Sequence, residues 1–234
     1  MRIDKGKIME SLSRTKLLKI TGFVIVLMIC NVHLFHNTSP SSLIYKNELV
    51  AAGEWWRIIT HLFVHVSWYH LILDALAVGF LWQEIDLKSS TQKILVALTC
   101  GGTSLLGSIW FSPYIEQVGY CGLSGVAHGL MFFLGLLWIY WALQEKRKID
   151  SQLAGFGGGV LLLLLSGAKS VVEIVSGSVL FSELHMGDLG VPIVEAHLGG
   201  VIGGAVAFIV LLVAGKGTIN IRANDLNIQM GESV

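Results

Sequence analysis

The feature that most constrains this chain is its supply of apolar runs long enough to cross a bilayer. A hydrocarbon core about 30 Å thick takes roughly 20 helical residues. Runs of that order occupy residues 18–36, 67–83, 93–111, 124–142, 153–175 and 191–214. Only 14% of the 234 residues are charged and 53% are hydrophobic, against about 25% charged in an ordinary soluble domain. With no water in the bilayer core, the backbone must satisfy itself within each segment. The expected fold is therefore all-α, a polytopic membrane protein of six transmembrane helices.

The loops supply an orientation. Lys and Arg gather at Arg2, Lys5, Lys7, Arg14, Lys16 and Lys19, at Lys88 and Lys93, at Lys146, Arg147 and Lys148, and at Lys216 and Arg222. The alternate connections hold only Lys46 and Arg57. Positive charge stays on the cytoplasmic side, so both termini are expected there. The organisation that follows is a cytoplasmic segment 1–17, a six-helix domain 18–214 with an external first loop 37–66, and a polar cytoplasmic tail 215–234. Residues 1–17 are basic like the start of a signal peptide. No small-residue cleavage site follows, however, and five more spans do, so a retained first helix is expected. The external loop contains GEWWRIITHLFVH, too polar to span and too apolar to be solvated, with Trp55 and Trp56 placed to lie at headgroup level.

Net charge is zero, so no global field favours nucleic acid; the bilayer and membrane-embedded chains are the expected partners. Cys30, Cys100 and Cys121 have no zinc-type spacing, and no metal or other cofactor is expected. His61, His65 and His70 lack an H-E-x-x-H pattern, which disfavours a zinc protease.

The orientation places five polar residues at one depth. His70 and Asp74 lie in the outer turns of the second span, Ser124 and His128 in those of the fourth, and His197 in those of the sixth. At 1.5 Å per residue they all fall within roughly 5–12 Å of the outer boundary. Ionisable groups in a membrane are costly and point to function. A serine hydroxyl becomes a nucleophile when an imidazole takes its proton. A helix start adds free N–H groups that stabilise an oxyanion, and Gly122 lets backbone approach closely. His197 is favoured over His128 as the base, with His128 packed against it. Gly125 and Gly129, and in AHLGGVIGG the pairs Gly199/Gly203 and Gly200/Gly204, have the four-residue spacing that draws membrane helices together.

Together, THLFVHVSWYHLILD (60–74), WWR (55–57), GLSG (122–125) and AHLGG (196–200) resemble the rhomboid intramembrane serine proteases over about residues 50–210. The resemblance implies that Ser124 is the nucleophile, His197 its base and His70 an oxyanion partner, with Gly122 and Leu123 beside it. Trp56 and Arg57 would belong to the external loop structure. Asp74 stands where the family commonly has asparagine, and an ionised carboxylate cannot donate to an oxyanion. Either Asp74 stays protonated in apolar surroundings, or it orients His70; the second is preferred.

GLSGVAHG, the pattern Lys169-x-x-x-Glu173 followed by Gly177, and VPIVEAHLGG (191–200) resemble the rhombosortase branch more narrowly. That implies cleavage of C-terminal Gly-Gly-type sorting signals of exported proteins at the periplasmic side of a bacterial inner membrane. Lys169 and Glu173 have two readings, a self-neutralising i,i+4 pair or part of a substrate-binding wall. Glu195, two residues from His197, is expected to face away. Rival readings are a general rhomboid protease, an inactive client-binding relative, and a small transporter.

Overall fold

The computed structural model describes residues 5–36, 38, 42–144, 149–180 and 186–214. Six long helical segments organise it: α1 Lys5–Cys30, α2 Trp68–Glu84, α3 Ser90–Phe111, α4 Ser124–Gln144, α5 Gln152–Ser176 and α6 Val194–Val213. Among the described residues there is no strand, only an isolated antiparallel bridge between Tyr45 and Tyr120. The chain is a polytopic all-α membrane bundle.

By length and apolarity α3, α4, α5 and α6 are membrane spans, and α2 joins them if counted with Arg57–Phe63, from which it bends by 94°. The first segment departs from expectation. The apolar part of α1 is Leu17–Cys30, and the run expected to continue to residue 36 instead turns into a 3₁₀ helix at Val32–Phe35. Asn31 supplies the reason. Fully buried, it donates to Leu27 O at 2.8 Å and Phe63 O at 2.6 Å, and accepts from the His65 N–H at 2.8 Å. It thereby stitches the end of α1 to the bent segment ahead of α2. The expected tail 215–234 and the basic cluster Lys146–Lys148 lie outside the described residues.

The centre of the bundle is α6, packed along both α3 and α4. Its two glycine pairs serve different neighbours. A Cβ on Gly200 or Gly204 would overlap the carbonyl of Gly125 or Gly129 on α4. One on Gly199 or Gly203 would strike α3 around Thr103. Backbones at van der Waals contact gain packing that no larger residue allows.

One irregularity in α5 matters for the site. Leu164–Ala168 is a π-helical turn, which inserts extra chain and turns the following residues about the axis. Ser166 within it, and Ser170 and Glu173 beyond it, are fully buried on the inward face. The two serines hydrogen-bond back along the helix, Ser166 Oγ to Leu162 O and Ser170 Oγ to Ser166 O, each at 2.7 Å.

Candidate active site

The segment leading into α4 is pinned at three points. Tyr45 and Tyr120 exchange backbone bonds of 3.0 Å each way, Gly122 N–H donates to His61 O at 2.9 Å, and Leu123 N–H donates to Asp74 Oδ2 at 2.8 Å. Gly122 has φ +108°, and a Cβ there would stand 2.9 Å from His70 Nε2 and 3.2 Å from Asp74 Oδ2. Glycine alone meets both demands. Ser124 is then the first residue of α4. Ala127 N–H reaches Leu123 O at 2.8 Å, so the N–H groups of Ser124, Gly125 and Val126 have no acceptor within their own helix.

Ser124 and His128 of α4, His197 of α6, His70 and Asp74 of α2, and Lys169 of α5 all line one cavity of about 500 Å³. Four helices thus deliver six of the polar residues singled out in the sequence to a single space. Among the described residues, the Ser124 hydroxyl and His197 both line this cavity with no hydrogen bond between them. His128 connects them: its Nδ1 bonds Ser124 O at 2.8 Å, and its ring stacks on His197 with centroids 4.0 Å apart and planes 11° from parallel.

Glu173 and Lys169 fit neither sequence reading completely. Lys169 does reach the cavity wall, but Glu173 is fully buried behind it. Glu173 Oε1 accepts from Lys169 Nζ at 2.5 Å and from Leu180 N–H at 2.9 Å, while Oε2 lies 2.7 Å from His197 Nδ1. Lys169 Nζ is also 3.2 Å from His128 Nε2. The carboxylate therefore serves the histidine and does not form the substrate wall. Glu195, by contrast, takes no part in this network, and its buried Oε2 has no partner among the described residues.

The electrophilic side also differs from expectation. Gly122 and Leu123 were expected to support an oxyanion, but the N–H of each is already bonded, to His61 O and to Asp74. Asp74 is fixed as an acceptor. Its Oδ2 receives the Leu123 N–H and lies 3.3 Å from His70 Nε2 and 3.4 Å from His65 Nε2. These are the contacts of a group that orients His70 and the loop before Ser124. Trp56 and Arg57 do not line the cavity. Arg57 is buried, bonding Glu54 at 2.7 Å and Ile44 O at 2.8 Å, and the exposed Trp56 donates to Ser42 O at 3.3 Å. Both shape the loop between α1 and α2 that carries Tyr45.

Sequence reasoning passed over Ser104. Its hydroxyl donates to Ala196 O at 2.9 Å and meets Tyr120 OH at 2.7 Å. It thus joins the residue before His197 to the loop before Ser124. A serine inside an apolar run carries no signal of that role. Cys121 also lines the cavity, where loss of surrounding water and the Asp74 carboxylate push its thiol up to about 12.

His128, Glu173 and His197 bring ligand atoms within 4.8 Å of one another, a spacing that suits a metal ion. Here, however, the Lys169 ammonium bridges His128 and Glu173. The protein's own cation thus contacts two of the three groups that a metal would use.

Residues 52–214 match the family model described as the Rhomboid domain. The chain is 29% identical over 160 residues to "Rhomboid protease GluP" of Bacillus subtilis (strain 168), covering 68% of this chain and 26% of that protein. It is 33% identical over 95 residues to "Rhomboid protease GlpG" of Yersinia enterocolitica, and 30% identical over 95 residues to that of Yersinia pestis, each time covering 41% of this chain and 32% of the relative. The match thus spans about a quarter to a third of these relatives' length. No solved structure matches.

Proposed function

The chain belongs to the rhomboid family, and from that premise we propose that it is a serine-type intramembrane endopeptidase with Ser124 as nucleophile and His197 as general base. The observation that carries this is the arrival of Ser124 and His197 on one cavity wall from helices 73 residues apart in sequence (197 − 124).

As Ser124 Oγ attacks a substrate peptide carbonyl, its proton passes to His197 Nε2 and the C–O bond forms. When the tetrahedral intermediate collapses, the C–N bond breaks and that proton goes to the departing amine. Water then enters by the reverse sequence and frees the new C-terminus. The oxyanion falls at the start of α4, where the Ser124 N–H has no intrahelical acceptor. His70 supplies a second donor once the substrate carbonyl displaces its contact with Asp74.

The substrates proposed are single-span proteins with a C-terminal Gly-Gly-type signal, cut near the periplasmic face of a bacterial inner membrane, with both termini of the enzyme cytoplasmic. Support comes from the resemblance carried by Lys169, Glu173, Gly177 and residues 191–200, and from the chemistry of glycine. A Gly-Gly site unwinds readily and exposes its carbonyl. The test is mass spectrometry of a co-expressed tailed substrate. A new C-terminus at the Gly-Gly site with the wild type, and none with Ser124→Ala, is the expected result. Equal processing by Ser124→Ala would refute the assignment.

A further inference from the structure

We propose that Glu173 is a positioning residue for this reaction, a third group that fixes the tautomer and plane of His197 and steadies its charge when it takes the proton. The proposal deepens the Ser124–His197 reading and rests on it.

The hydrogen-bond directions follow from donor chemistry. An ammonium can only donate, so Lys169 Nζ, 3.2 Å from His128 Nε2, requires that nitrogen to be the acceptor. His128 then carries its proton on Nδ1 and donates it to Ser124 O at 2.8 Å. Both ring nitrogens of His128 are thereby occupied, and it has no lone pair left to act as base.

His197 is in the opposite condition. Its Nδ1 faces Glu173 Oε2 at 2.7 Å, and a carboxylate accepts. The proton belongs on Nδ1, which leaves Nε2 with the free lone pair on a ring that borders the cavity. Three groups, Lys169, the Ser124 carbonyl and Glu173, thus sort two stacked imidazoles into one base and one support.

A Lys–Glu pair that merely cancelled its own charge would need one carboxylate oxygen. Glu173 uses both: Oε1 takes Lys169 and the Leu180 N–H, and Oε2 is reserved for His197. It is fully buried, so the carboxylate has no solvent in which to turn. The π-helical turn at Leu164–Ala168 immediately precedes Lys169 and sets the rotation that aims both side chains inward. A buried carboxylate with three donors is well satisfied, and one of those donors is the imidazole that must become positive.

The experiment uses the full chain in proteoliposomes with the tailed substrate. Glu173→Gln should lower kcat by about 10²- to 10⁴-fold with KM little changed, as expected when a base loses its orienting carboxylate. Glu173→Asp should recover part of the rate.

Loss of packing alone would lower the folded fraction, and the shorter carboxylate of Glu173→Asp would not recover the rate. Unchanged kcat in Glu173→Gln, or no recovery in Glu173→Asp, overturns the proposal, provided Ser124→Ala is inactive; an active Ser124→Ala instead sinks the underlying site. If Glu173→Gln does not fold, ¹⁵N-histidine NMR of the wild type decides. A protonated Nδ1 on His197 supports the proposal, and an unprotonated one overturns it.

Discussion

The imidazoles of His128 and His197 lie face to face, 4.0 Å between centroids and 11° from parallel, although one belongs to α4 and the other to α6. The stack places the plane of His197 under the control of a residue that also holds the backbone of Ser124. It ties the α4 side of the cavity to the α6 side through one pair of rings.

His128→Ala removes that stack together with the bond to Ser124 O. A ring pair of this kind contributes about 0.5–1.5 kcal/mol, so kcat is expected to fall about 2- to 13-fold. His128→Phe restores a ring face and should recover more than half of the loss on a logarithmic scale. Steady-state kinetics on the two variants checks this; Ala and Phe variants with equal rates would remove the stack from the mechanism.

Helix approach is testable at glycines of opposite surroundings. A Cβ on Gly200 would overlap the Gly125 carbonyl, whereas one on Gly102 meets nothing within 4 Å. Gly200→Ala should therefore part α4 from α6, lower thermal stability and abolish cleavage. Gly102→Ala should stay within about 1 kcal/mol of the wild type. Unfolding in detergent followed by tryptophan fluorescence distinguishes them.

Asp74 accepts the Leu123 N–H at 2.8 Å. An amide in its place keeps an acceptor for that bond and adds a donor toward His70's side of the cavity. Asp74→Asn is accordingly expected to retain activity within about threefold of the wild type, while Asp74→Ala frees the loop before Ser124 and costs at least tenfold, near 1.4 kcal/mol. Labelling of Ser124 by a fluorophosphonate, measured as a rate, reports on both.

The Lys169–Glu173 pair separates stability from catalysis. Lys169→Met leaves the buried carboxylate without its cation, a change that costs about 3–5 kcal/mol when a buried pair is broken. Replacing both with methionine removes the charges together and should restore most of that stability. Activity should not return with it, because His197 Nδ1, now 2.7 Å from Glu173, would have lost its acceptor. Thermal unfolding beside substrate cleavage for the single and double variants checks the split.

The sequence by itself determined the class of molecule and the cast of residues. Apolar length, the absence of charge and the glycine spacing in AHLGGVIGG follow from what a bilayer demands of any backbone, and so could be read one segment at a time. The depth argument selected Ser124, His128, His197, His70 and Asp74 because rise per residue converts position into height. Rotation about a helix axis and the choice among several possible partners are set by neighbours, and these only the tertiary structure decided. Glu173 stood in the sequence as half of a local ion pair, yet the π-helical turn before Lys169 aims it at a histidine 24 residues away. Ser104 looked like any small residue in an apolar run until two elements met over its hydroxyl. Gly122 and Leu123 offered free N–H groups on paper, and the fold had already given both away. Local periodicity fixes which groups lie at one level; only packing fixes which of them touch.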